Sequence, residues 1–275
     1  MGDRTDPVAE WSDYWRQTAA DGCTAALPPA VAACIAAGWT RLFQPLSART
    51  TVIDIACGRG AVLALARAAG CVVTGVDAAQ ISGADPAILG GIDAARLPFA
   101  DASFDVAVSQ FGVEYAGLEA AGLEAARVAR RHLWLFLHAA DGPVVAAARE
   151  QVAQAAWLVP AFVRLLAHVS TPDVADIERL HAEILVQAQA ASNTALLEAV
   201  WQMAGAQVAK PDAAVIRALA AEVEAWARRL HLLTAAAAGA AAVSALAQQL
   251  QSAGWTVVIR DEGAPPVGRW LLANR

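Results

Sequence analysis

Val52-Ile53-Asp54-Ile55-Ala56-Cys57-Gly58-Arg59-Gly60 decides the fold of this chain. The stretch reads as a short apolar strand carrying an acid, followed by a tight glycine turn. Ala61 to Ala69 then reads as a helix. Gly58 and Gly60 let the backbone approach a ligand closely and adopt φ > 0 where the turn needs it. The helix start presents backbone N–H groups that have no partner within the helix. Together these features form the local geometry for holding an adenosine-bearing ligand. A glycine turn after a strand is often no more than a turn, so the residues that follow carry the decision.

Cys71-Val72-Val73-Thr74-Gly75-Val76-Asp77 is a second apolar strand ending in an acid, 23 residues after Asp54. An acid at this place can accept hydrogen bonds from both hydroxyls of a ribose. Next comes Asp93-Ala94-Ala95-Arg96-Leu97-Pro98-Phe99-Ala100-Asp101-Ala102-Ser103-Phe104-Asp105, running into Val106-Ala107-Val108-Ser109. The pieces D-x-A-x-G-x-G, G-V-D and D-A-x-x-L-P-F-x-D-x-S-F-D, in this order and spacing, resemble the class I S-adenosylmethionine-dependent methyltransferases. The resemblance is close over roughly residues 50–140 and loose over the final strands. Ala56 departs from it, standing where many members carry a first glycine. The resemblance implies a Rossmann-like, seven-stranded, mostly parallel sheet. It also implies S-adenosylmethionine as cofactor and S-adenosylhomocysteine as product.

Composition narrows the class further. The 275 residues are 57% hydrophobic and 17% charged, with a net charge of −6 and a pI near 5.3. That is ample for a core and longer than a minimal Rossmann-like unit. Lys210 is the single lysine, and no basic stripe is present, which argues against a nucleic-acid substrate. Leu230 to Ile259 carries no charge but is mainly alanine. It reads as an Ala-rich helix pair rather than a membrane span, which needs about 20 strongly apolar residues. Met1 to Asp6 is polar and lacks a signal core. Cys23, Cys34, Cys57 and Cys71 show neither C-x-x-C nor metal-ligand spacing, which suits free thiols in a reducing cytoplasm and no metal site.

Three regions are expected. Residues 1–48 read as a helical cap, with Trp11, Tyr14 and Trp15 on one helix face and Val31, Ile35 and Trp39 on another. In the resembled family such leading helices often cover cofactor or substrate. Residues 49–143 and 254–275 form the Rossmann-like core. Its strands are expected at Thr51–Ala56, Cys71–Val76, Ile88–Asp93, Phe104–Ser109 and His132–Leu137, with a helix over Leu118–Arg130. Trp255–Arg260 and Arg269–Ala273 read as a closing antiparallel pair, introduced by Gly254 as a helix cap. Near-continuous apolar strands imply a parallel sheet covered on both faces, with ligands beyond its carboxyl edge.

Residues 144–253 read as a helical insertion, either a substrate lid or a homodimer surface. A helix over Val144–Val159 runs to Pro160. A second starts at Ser170-Thr171-Pro172-Asp173 and carries Val174, Ile177, His181, Ile184 and Leu185 on one face. A third has Val215, Leu219, Val223, Trp226, Leu230 and Leu233 at amphipathic spacing.

The resemblance implies a cofactor site made of Asp54, Ala56, Gly58, Gly60, Asp77, Ala78, Asp93, Ala94 and Gln110. Asp54 lies toward the cofactor's amino-acid end, Asp77 at the ribose, and Asp93 with the Ala94 N–H at the adenine. Asp101 and Asp105 match the family pattern but read as shaping the turn and the strand entry. Displacement at a sulfonium needs alignment and exclusion of water more than a triad or a metal. Phe111 and Tyr115, after the fourth strand, can face a sulfonium or a flat acceptor. His138, Glu114 and Tyr115 are the candidates for taking an acceptor proton, His138 because imidazole titrates near neutrality.

The expected function is methyl transfer to a small, apolar or aromatic acceptor, with no nucleic acid and no membrane span involved. A methylated protein substrate is a variant of the same chemistry. A scaffold that binds cofactor but is catalytically silent is a second reading. A nicotinamide-dependent oxidoreductase is a third, weakened by Leu63 at the third position of the glycine pattern and by the lack of a Tyr-x-x-x-Lys pair.

Overall fold

The computed structural model describes residues 6–18, 27–81, 85–171, 173–209 and 212–275, and leaves aside the side chains of 174, 177 and 203–209. Residues 1–5, Cys23, Pro172 and Lys210, each used in the sequence reading, lie outside the described residues. The described chain divides into two compact units. One comprises Met1–Val144 with Ala236–Arg275, the other Val145–Ala235.

The first unit is built on strands β1 (Thr51–Ile55), β2 (Val72–Asp77), β3 (Ile88–Gly90), β4 (Phe104–Gln110), β5 (Ala129–Leu137), β6 (Thr256–Glu262) and β7 (Gly268–Asn274). They form one sheet in the order β3-β2-β1-β4-β5-β7-β6. The first five are parallel, and β7 runs antiparallel between β5 and β6. This is the doubly wound arrangement with a closing antiparallel pair. The order reverses at β1, so the crevice lies beyond the ends of β1 and β4.

Strand side chains alternate between two buried faces. Val52, Val106, Val108, Phe136 and Trp270 pack with Ile35, Trp39 and Phe43 of helix α2 (Pro29–Phe43) and Val62 and Ala66 of helix α3 (Ala61–Ala68). Ile53, Ile55, Ala107, Leu133, Leu135 and Leu271 pack on the other face with Ala121 and Ala125 of helix α4 (Leu118–Val128). Val243, Leu246, Ala247 and Leu250 of helix α9 (Ala240–Ser252) join that second cluster. Gly122 permits the close approach: a Cβ there would stand 2.6 Å from Leu246 Cδ2. The sequence pattern assigns α9 to the insertion, and the packing corrects this, because α9 covers the sheet and the separate unit ends at Ala235.

Helix α4 also ends earlier than expected, at Val128, and Ala129 to Arg131 extend β5. Arg130 is exposed there and reaches Asp105, 2.6 Å away, at the strand entry. Asp105 in turn accepts from the Thr51 N–H and hydroxyl, both at 3.0 Å. It therefore staples the starts of β1, β4 and β5, and the Thr51 N–H above all holds its carboxyl below the ordinary range.

The second unit comprises most of α5 (Pro143–Ser170) and α8 (Ala213–Ala236), with α6 (Val174–Ala190) and α7 (Ala195–Ala209) whole. Its core joins Leu158, Phe162, Leu165, Leu197, Val200, Ile216 and Val223. Pro160 does not stop α5 as the sequence predicts. Proline removes one N–H from the helical ladder, but burial of Leu158, Ala161, Phe162 and Leu165 on either side carries the helix through. The cap of α6 is Asp173 itself, whose side chain accepts from the Asp176 N–H at 3.0 Å, rather than the preceding hydroxyls. Leu180 is buried there, whereas His181 and Leu185 are exposed. Among the described residues, α5 is the one helix long and apolar enough to cross a membrane, with a mean hydropathy of 1.5.

Candidate active site

At the carboxyl ends of β1, β2 and β4 the first unit carries a half-open cavity of about 620 Å³. Asp54, Ala56, Gly58, Asp77, Ala78, Asp93, Ala94 and Gln110 all line it. Gly60 stands just behind, at φ +83°, where it opens α3. Gly58 has φ +52° and Ala56 φ +54°, so both fall in the left-handed region. This conformation explains why glycine suits position 56, and why alanine there costs on the order of 1–2 kcal/mol. Phe111 shares this backbone region, at φ +54°. Such strain gathers at ligand sites.

Asp77 closes the turn onto β2. Its Oδ2 accepts from the Gly58 N–H and its Oδ1 from the Ala79 N–H, each at 2.8 Å. Burial pushes its pKa up, against the pull of those two N–H groups. Asp54 is more deprived: it is 2% exposed, and its Oδ2 has no hydrogen-bond partner among the described residues. Burial pushes its carboxyl up to about 8, opposed by the Leu63 backbone N–H and reinforced by Asp77. A buried carboxylate with an unmet acceptor, on the wall of a cavity, calls for a cation or a donor. Burial and the same two acids also drive the Cys57 thiol upward, so it stays protonated and is no nucleophile. The exposed Asp93 keeps an outer position, with Oδ1 accepting from the Ala95 N–H at 2.9 Å.

The opposite wall is aromatic. Helix α1 (Pro7–Gln17) brings Pro7, Val8, Trp11 and Trp15 to the cavity. Trp11 and Trp15 stack with centroids 6.3 Å apart, and Trp11 meets Tyr115 edge-on at 5.5 Å. Phe111 and Tyr115 complete this side. The helical spacing groups the α1 aromatics on one face, but periodicity does not tell that Trp11 and Trp15 turn to the cavity. Trp39, from α2, donates to Gln110 Oε1 at 2.6 Å and fixes that side chain at the rim.

The three candidates for proton transfer separate. Tyr115 lines the cavity, and Glu114 and His138 do not. Glu114 Oε1 accepts from the His138 backbone N–H at 3.0 Å and lies 2.9 Å from its Nδ1, with both side chains fully buried. The imidazole stacks on Phe111, ring centroids 4.0 Å apart. Through this stack the pair supports Phe111 from behind the cavity lining. No group of three or more metal-ligating side chains occurs among the described residues.

Residues 53–137 match the family model described as a methyltransferase domain. None of the curated proteins compared matches the chain. Solved structures similar to it include an S-adenosylmethionine-dependent methyltransferase from Methanosarcina mazei, with 22% identity, coverage of 37% of this chain and 58% of that one, and a TM-score of 0.31. Another is the geranyl diphosphate C-methyltransferase from Streptomyces coelicolor, solved with Mg2+, geranyl diphosphate and S-adenosylhomocysteine, with 16% identity, coverage of 50% and 68%, and a TM-score of 0.36. A third comes from Aquifex aeolicus, with 16% identity, coverage of 38% and 64%, and a TM-score of 0.31. The chain spans about half the length of several such structures, from 47% to 58%. The matched methyltransferase domain falls on the strands and turns that build the cavity.

Proposed function

We propose that this chain transfers a methyl group from S-adenosylmethionine to a small apolar or aromatic acceptor by direct displacement. The observation that carries the reading is Asp54, a buried carboxyl group with an unpartnered oxygen in a residue that lines the cavity. A cationic ligand would give that oxygen its partner and favour the ionised form. When bound, S-adenosylmethionine supplies a methyl group already activated by a positively charged sulfur. Gly58 and Ala56 form the left-handed turn that would meet it, Asp77 offers lone pairs to a ribose, and Ala94 offers an N–H to an adenine. Asp54 meets positive charge at the amino-acid end.

Trp11, Trp15, Phe111 and Tyr115 bind and orient the acceptor and keep water out. Their faces also favour developing positive charge. Of the three candidates Tyr115 alone lines the cavity, and we assign it the relay of an acceptor proton. Glu114 and His138 act by holding Phe111. In the transfer, the bond from methyl carbon to acceptor forms as the carbon–sulfur bond breaks, and the sulfur keeps the electron pair.

The test is transfer of labelled methyl from S-adenosylmethionine to a panel of aromatic amines, phenols and apolar alcohols, with wild type and Trp11→Ala. Label in at least one aromatic acceptor, reduced about tenfold or more by the substitution, is the expected result. Label appearing solely in polar or anionic acceptors, or unaffected by the substitution, would overturn the acceptor assignment.

A further inference from the structure

Helix α1 supplies one wall of the cavity but cannot hold itself there. It has 11 residues, and isolated helices shorter than about 12–15 residues are marginal in water. Its last carbonyls also need donors from elsewhere. Arg59, between the two glycines of the cofactor turn, provides them. Its Nε donates to the Thr18 carbonyl at 2.9 Å, and a terminal nitrogen donates to the Trp15 carbonyl. A cation at a helix C-terminus also meets the negative end of the macrodipole. A further attachment lies nearby: the Gln80 N–H donates to Ser12 Oγ at 3.0 Å. Trp15 itself lies against the turn, where a Cβ on Gly58 would stand 2.5 Å from its Cζ2.

The two anchors belong to the two segments that Asp77 joins. Asp77 accepts from Gly58, one residue before Arg59, and from Ala79, one residue before Gln80. Anything that settles Asp77 and the glycine turn therefore settles both anchors of α1. We infer that Arg59 is a positioning residue: it ties the aromatic wall of the acceptor space to the cofactor turn, so cofactor binding orders α1 and completes that wall. This rests on the proposed function. By linkage the coupling is reciprocal, so a loosened α1 weakens the cofactor by the same factor. Local order in a marginal element is what such coupling acts upon.

Segment-resolved hydrogen exchange of the full chain, with and without S-adenosylhomocysteine, tests this in wild type, Arg59→Ala and Arg59→Lys. A hydrogen bond to a charged group contributes about 1.5–3 kcal/mol. Exchange across Pro7–Gln17 should therefore quicken by about tenfold or more in Arg59→Ala. Arg59→Lys, which keeps the charge but offers a single point donor, should fall between. The amides of β1, β4 and β5 should stay as protected as in wild type, which separates lost positioning from lost folding. S-adenosylhomocysteine should slow exchange in α1 of the wild type, and much less so in Arg59→Ala. If the ligand binds, by calorimetry on the same samples, yet leaves α1 exchange unchanged, the coupling is wrong while the proposed function stands. The coupling is equally wrong if α1 protection is the same in all three proteins. If wild type does not bind the ligand at all, the proposed function itself fails.

Discussion

Asp54→Asn is the substitution that most sharply probes the charge logic of the site. The folded, cofactor-free protein holds this carboxyl near 8, whereas the unfolded chain releases its proton near 3.8. The folded state therefore binds more protons than the unfolded state between those values. Its stability falls as pH rises, by about 1.4 kcal/mol per pH unit. The contribution is intact below about 3.8 and is lost progressively up to about 8, beyond which the charge is buried at full cost. An asparagine side chain has nearly the same shape and no charge, so the variant escapes this slope. Between pH 5 and pH 7 the variant should gain about 3 kcal/mol relative to wild type. At about 2–4 °C per kcal/mol for a domain of this size, its melting midpoint should gain about 6–12 °C relative to wild type over that interval. Parallel thermal melts at both pH values, without cofactor, read the difference directly. A wild-type-minus-variant difference that does not change with pH would mean that Asp54 is already ionised in the empty site, and burial would then not hold its proton as the site requires.

Other perturbations act through different contacts. Gly58→Ala places a Cβ 2.5 Å from Trp15 Cζ2 on a backbone at φ +52°, so it should displace α1 and weaken S-adenosylhomocysteine by about tenfold, measured by calorimetry. Asp105→Ala removes the staple of Thr51 and Arg130 and should cost about 3 kcal/mol at neutral pH in chemical denaturation. Because its folded pKa is depressed, that difference should shrink as pH falls below the ordinary carboxylate range. Ile53→Ala empties a fully buried position on the α4–α9 face and should cost about 2–5 kcal/mol by the same assay, with cofactor affinity at about 25 °C kept.

Much of the core is legible in the sequence because its signals are local. Each strand lies within about three residues of its expected bounds, since apolar runs bounded by Gly and Asp mark strands and their turns. The acids at the ends of β1 and β2 reach the cavity because parallel strands that share a register end at the same edge. The departures share one cause: periodicity says which face of a helix is apolar, not what covers it. The stripe Val243, Leu246, Ala247 and Leu250 looks like any in the helical unit, yet it packs on the sheet. The aromatic stripe of α1 suits a cap over the ligand and a helix packed on the sheet edge equally well, and Trp11 and Trp15 line the cavity. His138 does follow β5 at the sheet edge, but its partnership with Glu114 and its place under Phe111 depend on the left-handed turn at Phe111, which no glycine announces. Pro160 misleads because its local penalty is smaller than the burial on either side of it.

The central claim is that the glycine turn and Asp77 hold S-adenosylmethionine. Calorimetric titration of the purified chain with S-adenosylhomocysteine, repeated with Asp77→Ala, tests it most directly. Micromolar binding by the wild type, weakened about a hundredfold by loss of the two N–H contacts and of the ribose acceptor, is the predicted result. Wild-type protein that takes up no heat with this ligand, or a variant that binds it as well, would contradict the account.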